Sequence, residues 1–254
     1  MKLRILGSGT SSGVPRIGND WGSVDPSEPR NRRLRASALA TIGGQRLLID
    51  TGPDLREQLN TAGVGEVDRV LLTHDHADHI HGLDDLRQVA HNRGDQVPVY
   101  GRAELVERIV PRFEYLFRGN PLYPAVCVSH VIDDEWLIEG TRVRFVDQPH
   151  GRITSLGIRF DEAERSLVYA IDFVQLTDAM ASLYQGADIW IADCLRRRPH
   201  PTHAHLDAVL GWARDLQVGH LVLTHLDNSM DHAQLRAELP DWAEPAYDGL
   251  ELEL

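Results

Sequence analysis

The chain has 254 residues, 42% of them hydrophobic, and a formal net charge of -12 from 38 acidic and 26 basic side chains. This composition is typical of one globular domain with a substantial core, and it excludes a disordered chain. The acidic charge argues against nucleic acid as a partner, because the field of the protein would repel a polyanion.

Cysteine usage and hydropathy indicate the cellular location. The two cysteines, Cys127 and Cys194, are far apart in the sequence, which argues against a disulfide scaffold and for a reducing compartment. The apolar residues before Gly7 are too few for a signal peptide, and no stretch reaches the roughly 18 apolar residues of a membrane span. We therefore expect a cytoplasmic protein without a membrane segment.

Short apolar runs of β type alternate with helical patterns from end to end, which is typical of a layered α/β domain covering residues 1–254. The predicted strands cover residues 2–6, 36–42, 46–49, 69–72, 97–100, 142–146, 156–160, 166–171, 189–192, 220–223 and 250–254. The predicted helices cover residues 54–62, 83–91, 104–117, 176–184, 204–216 and 231–239. Pro111 should kink the third helix.

A dense cluster of metal-binding side chains follows the predicted strand at 69–72. It reads His74-Asp75-His76-Ala77-Asp78-His79. Residues i and i+2 of an extended or turning backbone project to the same side, so His74 and His76 can bind one ion. Asp78 and His79 follow one turn later and can face a second ion. Imidazole and carboxylate ligands suit Zn²⁺, Mn²⁺ and Fe²⁺.

Three more donors stand at the carboxyl ends of apolar runs. His150, Asp172 and His225 each close such a run, as His74 does. Ligands at the ends of several strands of one sheet edge would meet in one cleft. We therefore expect all of them to belong to the same site.

The donor count predicts two divalent ions per chain. One ion would be held by His74, His76 and His150, and the other by Asp78, His79 and His225. Asp172 would bridge them, because its carboxylate has two oxygens. Two ions roughly 3.5–4 Å apart would share a water whose pKa falls towards ~7, and the resulting hydroxide makes the predicted chemistry hydrolysis.

Several other segments have two interpretations each. Asp50 is either an acceptor that fixes the tautomer of a ligand histidine or the N-cap of the helix that starts near Pro53. The basic runs 30–35 and 196–198 are either solvated faces or patches that attract phosphate, which makes Arg35 and Arg197 candidate substrate contacts.

Two loops also invite interpretation. The glycine-rich segment 7–15 lacks the lysine of a phosphate-binding loop and is interpreted as a sharp turn with close backbone approach. Residues 19–29 are interpreted as a surface loop or flap, in which Trp21 is a packing anchor or part of a substrate wall.

The motif His74-x-His76-x-Asp78-His79, followed downstream by His150, Asp172 and His225, resembles the metallo-β-lactamase superfamily over nearly the whole chain. This resemblance implies a four-layer αββα sandwich with the metal ions at one edge. An aspartate at position 172 is similar to the phosphodiesterase and glyoxalase II branches, whereas true β-lactamases usually place a cysteine in the second site.

Within the superfamily, the chain is most similar to phosphoribosyl 1,2-cyclic phosphate phosphodiesterases, in segment 7–15 and in the segment 203–207. That resemblance implies a small phosphorylated substrate and a general acid at His203. Thr202 is a plausible N-cap that would place His203 in the first turn of the following helix. His205 stands where the family has an acidic residue. Loop 19–29 has no cysteine and Asn228 replaces a family histidine, so no structural zinc is expected.

We therefore expect a dinuclear phosphodiesterase in which bridging hydroxide attacks phosphorus and His203 protonates the leaving group. Asp78 and Asp172 complete the predicted catalytic residues. Alternatives are a thioester or lactone hydrolase, a tRNA 3′-processing endonuclease and, from a different class, a non-catalytic nucleotide-binding protein. The sequence leaves the oligomeric state open, with a homodimer as one option.

Overall fold

The computed structural model describes residues 1–254, which form fourteen strands and eight α-helices. The strands are β1 (Lys2–Gly7), β2 (Ser37–Ile42), β3 (Gln45–Ile49), β4 (Arg69–Leu71), β5 (Val97–Gly101), β6 (Cys127–Val131), β7 (Glu135–Ile138), β8 (Thr141–His150), β9 (Ile153–Glu162), β10 (Arg165–Ala170), β11 (Ile189–Asp193), β12 (His220–Thr224), β13 (Ala243–Pro245) and β14 (Glu251–Glu253). The helices are α1 (Leu55–Ala62), α2 (Ala77–Ile80), α3 (Leu86–Arg93), α4 (Ala103–Arg112), α5 (Glu114–Phe117), α6 (Asp178–Tyr184), α7 (Leu206–Asp215) and α8 (His232–Glu238). None of these helices is both long enough and apolar enough to cross a membrane.

The strands form two seven-stranded sheets. The first has the order β14-β1-β2-β3-β4-β5-β6 and the second the order β13-β12-β11-β10-β9-β8-β7. Neighbours from β3 to β6 run parallel, and so do neighbours from β10 to β13. Each sheet therefore has a block of parallel strands whose carboxyl ends lie along one edge.

Three apolar clusters show how the sheets and helices are layered. The central cluster joins residues of both sheets, such as Ile5 and Ile49 from the first with Phe160 and Ile191 from the second. A second cluster lies between the first sheet and α1, α3, α4 and α5. A third lies between the second sheet and α6, α7 and α8. Helix, sheet, sheet and helix thus alternate, and the predicted αββα sandwich is confirmed.

The sequence-based prediction misses three strands, β6, β7 and β13. It also underestimates the length of β8 and β9. β13 holds Pro245 and pairs with β12 alone at the edge of its sheet, where a proline is tolerated. β8 and β9 extend to ten residues each and are joined through Gly151 and Arg152. Their polar ends hide that length from a search for apolar runs.

Three predicted helices differ from the structure. The helix expected over 104–117 is interrupted at Phe113 and becomes α4 and α5, two residues after Pro111. The helix expected over 83–91 begins with a 3₁₀ turn at Leu83–Asp85. The helix expected from residue 204 begins at Leu206, and its N-cap His205 forms no side-chain capping hydrogen bond.

The partly buried carboxylate of Asp248 ties the C-terminal segment to the start of the chain. Asp248 accepts hydrogen bonds from the backbone N and the Oγ of Ser8, at 2.8 and 2.7 Å, and from the backbone N of Leu34, at 2.7 Å. Burial outweighs these hydrogen bonds and raises the pKa of Asp248 to about 6.

This raised pKa predicts a pH-dependent contribution to stability. Between pH ~4 and ~6 the folded chain keeps a proton that the unfolded chain has released, so this contribution falls as the pH rises. The free energy of unfolding of the natural protein, minus that of Asp248→Asn, should decrease by up to about 3 kcal/mol across this window. Urea titrations at several pH values measure this difference in unfolding free energy. Asp241→Asn is the control, because it removes an exposed carboxylate. A constant difference across the window would contradict the prediction.

Candidate metal centre

The structure brings the seven predicted metal donors together at one edge, from elements of both sheets. They lie after β4 (His74), at the start of and within α2 (His76, Asp78, His79), at the end of β8 (His150), after β10 (Asp172) and after β12 (His225). The parallel strands explain this meeting, since their carboxyl ends share an edge.

The donors form overlapping triplets, and two of these triplets match the expected division. His74, His76 and His150 make the first group, with donor atoms within 4.8 Å of one another, and His150 Nε2 lies 3.1 Å from His76 Nδ1. Asp78, His79 and His225 make the second group under the same limit. Asp78 Oδ2 lies 3.2 Å from His79 Nε2 and 3.8 Å from His225 Nε2.

Asp172 lies between the two groups and presents one oxygen to each. Its Oδ1 is 3.5 Å from His150 Nε2. Its Oδ2 is 3.1 Å from His79 Nε2 and 3.5 Å from His225 Nε2. A carboxylate in this position can serve two cations at once.

Unsatisfied buried atoms show that this donor set fits a metal. The Nε2 atoms of His74, His79 and His225 and the Oδ2 atom of Asp172 are buried without a hydrogen-bond partner. Buried polar atoms are rarely left unpaired, and each needs an explanation. A divalent cation would supply the missing partner, and imidazole nitrogen with carboxylate oxygen is a set that Zn²⁺, Mn²⁺ and Fe²⁺ accept.

The charges of the site are balanced between histidines and carboxylates. Burial lowers the pKa of His74, with a contribution from His79, so the His74 ring stays neutral. Burial opposes a charge on His225 as well, but Asp172 and Asp78 outweigh it and raise the pKa of His225 to about 9. Burial would raise the pKa of Asp78, yet His79 and His225 hold it well below its usual range. Protons and cations therefore compete for the same donor atoms.

Asp50 contacts a predicted ligand and is not a helix cap. Its Oδ2 lies 2.8 Å from His79 Nδ1. Its Oδ1 accepts a hydrogen bond from the backbone N of Thr73 at 2.7 Å, and its Oδ2 accepts one from the Oγ1 of Thr73 at 2.8 Å. A carboxylate can only accept, so this contact directs the Nδ1 proton of His79 to Asp50 and leaves Nε2 for the site. The N-cap of α1 is Asp54, so the alternative that Asp50 caps this helix is wrong.

His203 lies at the site but not in a helix. It precedes α7, which begins at Leu206, so the expectation that Thr202 caps this helix with His203 in its first turn is wrong. Thr202 serves the site differently, because its carbonyl lies 2.9 Å from His150 Nδ1. His203 Nδ1 lies 3.6 Å from Asp172 Oδ1, beside the predicted bridge.

Sequence reasoning missed Asp193, the buried last residue of β11. Its Oδ2 lies 2.9 Å from His203 Nδ1, and its Oδ1 lies 3.7 Å from His225 Nδ1. A carboxylate therefore contacts His203 although position 205 holds a histidine. The signal was available, since Asp193 closes the apolar run 189–192 just as Asp172 closes its own run.

Three residues of this edge adopt left-handed backbone conformations. The φ angles are 63° at Asp50, 57° at Asp172 and 60° at His225. Residues other than glycine rarely adopt this region, and such outliers cluster at functional sites. Each of the three residues follows a strand, so the left-handed turn marks the point where the chain leaves the sheet towards the site.

The two arginines predicted to contact substrate lie in different places. Arg35 lines a cavity of about 500 Å³ that also borders Asp78, and its Nε pairs with Asp54 at 2.9 Å. Arg197 pairs with Glu238 of α8 at 2.7 Å and does not line this cavity. The structure therefore brings Arg35 to the site and leaves Arg197 in a surface ion pair.

The basic run 30–35 is not a uniform patch. Arg33 is buried and donates to the backbone carbonyls of Asp227 and Met230. The neighbouring loop 19–29 packs on the same segment, where the backbone N of Ser23 donates to the carbonyl of Asn228 at 2.9 Å. Trp21 within the loop lies under the guanidinium of Arg32, 5.2 Å from the ring centre.

Comparison with known protein families gives a clear match. A model described as a β-lactamase superfamily domain matches residues 45–226 of this chain. The ribonuclease Z of a Mycobacterium species is 30% identical, over 78% of this chain and 79% of that protein. An octanoyltransferase of Porphyromonas gingivalis is 32% identical over 99% of this chain, but the chain spans only 51% of that protein.

A solved structure is similar over the whole length. A diphosphatase of the PhnP family superposes with a TM-score of 0.89 and 36% sequence identity. The superposition covers 100% of this chain and 97% of the diphosphatase. The likeness thus includes both sheets and all the elements that carry the seven donors.

Proposed function

We propose that this chain, a hydrolase of the metallo-β-lactamase superfamily, cleaves a small phosphodiester with the help of two divalent cations. The first donor group would hold one cation and the second group the other, with Asp172 shared between them. Zn²⁺, Mn²⁺ or Fe²⁺ would suit these ligands. When bound, such a pair lowers the pKa of a water molecule and neutralises charge on phosphoryl oxygens.

The position of Asp172 carries the proposal. One of its oxygens faces each donor group, at 3.5 Å from His150 Nε2 and 3.1 Å from His79 Nε2. A two-cation centre is suited to an in-line displacement at phosphorus, where the attacking and the leaving oxygen both carry charge. The similarity to the PhnP-family diphosphatase supports a phosphorylated substrate.

His203 is the general acid of this proposal. Its Nδ1 is engaged by Asp193 at 2.9 Å, and because a carboxylate only accepts, the Nδ1 proton points to Asp193. Nε2 is then the nitrogen that can give a proton to the leaving alkoxide. Proton transfer by a positioned side chain contributes roughly 10²–10⁴-fold to rate.

Two alternatives have different substrates. The similarity to ribonuclease Z favours RNA 3′-end processing, which the net charge of -12 opposes. Binding to an RNA backbone weakens steeply as salt is added, so an RNA-cleaving activity that is insensitive to salt would speak against this role. A thioester or lactone hydrolase would use the same donors on a carbonyl carbon.

A substrate panel on metal-loaded protein separates these functions. The protein is stripped with a chelator, reloaded with Zn²⁺, Mn²⁺ or Fe²⁺, and assayed on bis(p-nitrophenyl) phosphate, a thioester, a lactone and a precursor tRNA. We expect two metal equivalents per chain and a kcat/KM for the phosphodiester at least about tenfold above the carbonyl substrates, a difference of about 1.4 kcal/mol in barrier. A thioester or lactone that reacts fastest, or a chain without metal and without turnover, would overturn the proposal.

A further inference from the structure

A buried serine on the neighbouring strand contacts the backbone of Asp172. Ser155 of β9 is 2% exposed, and its Oγ lies 2.7 Å from the carbonyl oxygen of Asp172 and 3.1 Å from that of Ile171. Asp172 has a φ of 57°, and a residue with a Cβ keeps such a conformation only where the surrounding structure enforces it. The direction in which the Asp172 carboxylate points depends on this turn.

A chain of buried donors fixes the direction of the Ser155 hydroxyl. The Oη of Tyr184 donates to Gln148 Oε1 at 2.8 Å, and the Nε2 of Gln148 donates to Ser155 Oγ and to the Ile171 carbonyl, each at 2.9 Å. Because Ser155 Oγ accepts from the amide, its own proton is free for the nearer carbonyl, that of Asp172. The side chains of Tyr184 and Gln148 are fully buried. A satisfied network of this kind holds its members in one arrangement.

A glycine in β9 leaves the space that this network occupies. A Cβ at Gly157 would overlap the hydroxyl oxygen of Tyr184 and would lie 2.9 Å from Gln148 Oε1. Glycine in the interior of a strand weakens the strand, and it often marks a site of close approach. Here the close approach is that of the Tyr184 hydroxyl and the Gln148 amide, which lead to the turn at Asp172.

The first sheet has the same arrangement at Asp50. Ser37, the buried first residue of β2, has its Oγ 3.0 Å from the carbonyl oxygen of Ile49 and 3.2 Å from that of Asp50. Asp50 has a φ of 63°. When the register of the antiparallel strands is continued, Ser37 lies opposite Asp50 just as Ser155 lies opposite Asp172. A hydroxyl in the same position thus supports a left-handed aspartate in each sheet.

The two aspartates act on different parts of the donor set. Asp172 has one oxygen towards each donor group. Asp50 contacts a single ligand directly, His79 of the second group, at 2.8 Å. It reaches His74 of the first group only through Thr73, whose Oγ1 lies 3.0 Å from His74 Nδ1. A shift of the Asp172 turn should therefore disturb both groups, and a shift of the Asp50 turn mainly the second.

We propose that Ser155 and Ser37 are matched positioning residues of the metal centre, which hold the turns of Asp172 and Asp50 so that the two carboxylates point at the cations and at His79. The inference rests on the two-cation centre of the proposed function. Neither serine lies among the donors themselves, so each acts through the backbone of its aspartate. Groups that orient metal ligands typically contribute 10–100-fold to metal affinity.

Zinc affinity tests the two serines without reference to any substrate. The zinc-loaded natural protein and its variants are equilibrated with chelators of graded strength, and the zinc retained gives a dissociation constant for each of two ions. Ser155→Ala should raise both constants roughly tenfold or more, because the shared carboxylate loses its fixed direction. Ser37→Ala should raise one constant by a similar factor and the other by less.

The control is Ser166→Ala, which removes another buried hydroxyl, one that donates to Asp188 Oδ2 at 3.2 Å at the opposite end of β10 from Asp172. It should leave both zinc constants unchanged, and urea titration of the zinc-free proteins compares the stability that each variant loses.

Unchanged constants in Ser155→Ala, or an equal loss of affinity in Ser166→Ala, would overturn the positioning role while leaving the two-cation centre standing. If Ser155→Ala does not fold, Ser37→Ala decides by the same criterion. A natural protein that binds no pair of ions would overturn the proposed function and this inference with it.

Discussion

Replacing Asp172 with asparagine should lower kcat/KM for bis(p-nitrophenyl) phosphate by roughly 10³-fold, which corresponds to about 4 kcal/mol of barrier. The substitution keeps the shape of the side chain but removes its charge and one of its two acceptor oxygens. Asp172 has Oδ1 at 3.5 Å from His150 Nε2 and Oδ2 at 3.1 Å from His79 Nε2, so a neutral amide would leave one donor group without its shared ligand. Bound metal, measured by elemental analysis, should fall below two equivalents per chain.

Asp215→Asn is the matched control, because Asp215 is an exposed residue at the end of α7. It should keep both the metal content and the turnover of the natural protein. Full metal content together with undiminished turnover in Asp172→Asn would show that this carboxylate does not join the two groups.

Replacing His203 with alanine should lower kcat by an amount that depends on the leaving group. An alkoxide leaves only with a proton, so the loss for an alkyl diester should be roughly 10²–10⁴-fold. A p-nitrophenoxide leaves readily without one, so the loss for bis(p-nitrophenyl) phosphate should be less than about tenfold. Steady-state kinetics on the two esters measures the difference.

His200→Ala controls for the loss of a neighbouring imidazole, since the His200 and His203 rings lie 5.2 Å apart. It should show no dependence on the leaving group. Asp193→Asn should show the same dependence as His203→Ala at a smaller size, because Asp193 contacts the His203 ring and does not itself transfer the proton. Equal losses on both esters in His203→Ala would assign His203 to binding instead of proton transfer.

The placement of the donors was predictable because it follows from local chain direction. His74, Asp172 and His225 each follow an apolar run, and the carboxyl ends of parallel strands share an edge. No knowledge of the strand order was needed. The same argument would have found Asp193, which closes β11.

Residues whose role depends on distant chain segments were not predictable. Arg33 looks like a member of a basic surface run, but carbonyls of Asp227 and Met230, almost 200 positions away, satisfy it inside the protein. The start of α7 was also misplaced, because Thr202 contributes its carbonyl to His150 and does not cap the helix. Tertiary contacts, which leave no local pattern, decided both cases.

The left-handed turns at Asp50, Asp172 and His225 imply a trade-off between thermal stability and activity. Each such conformation costs on the order of 1–3 kcal/mol for a residue with a Cβ, and glycine would relieve most of this backbone cost. At Asp50 glycine would also leave the buried donors of Thr73 and His79 unpaired. Selection for heat resistance alone should therefore enrich glycine at positions 172 and 225 and yield more stable, inactive proteins. The fold is therefore less stable than it could be, because it positions these side chains at the site.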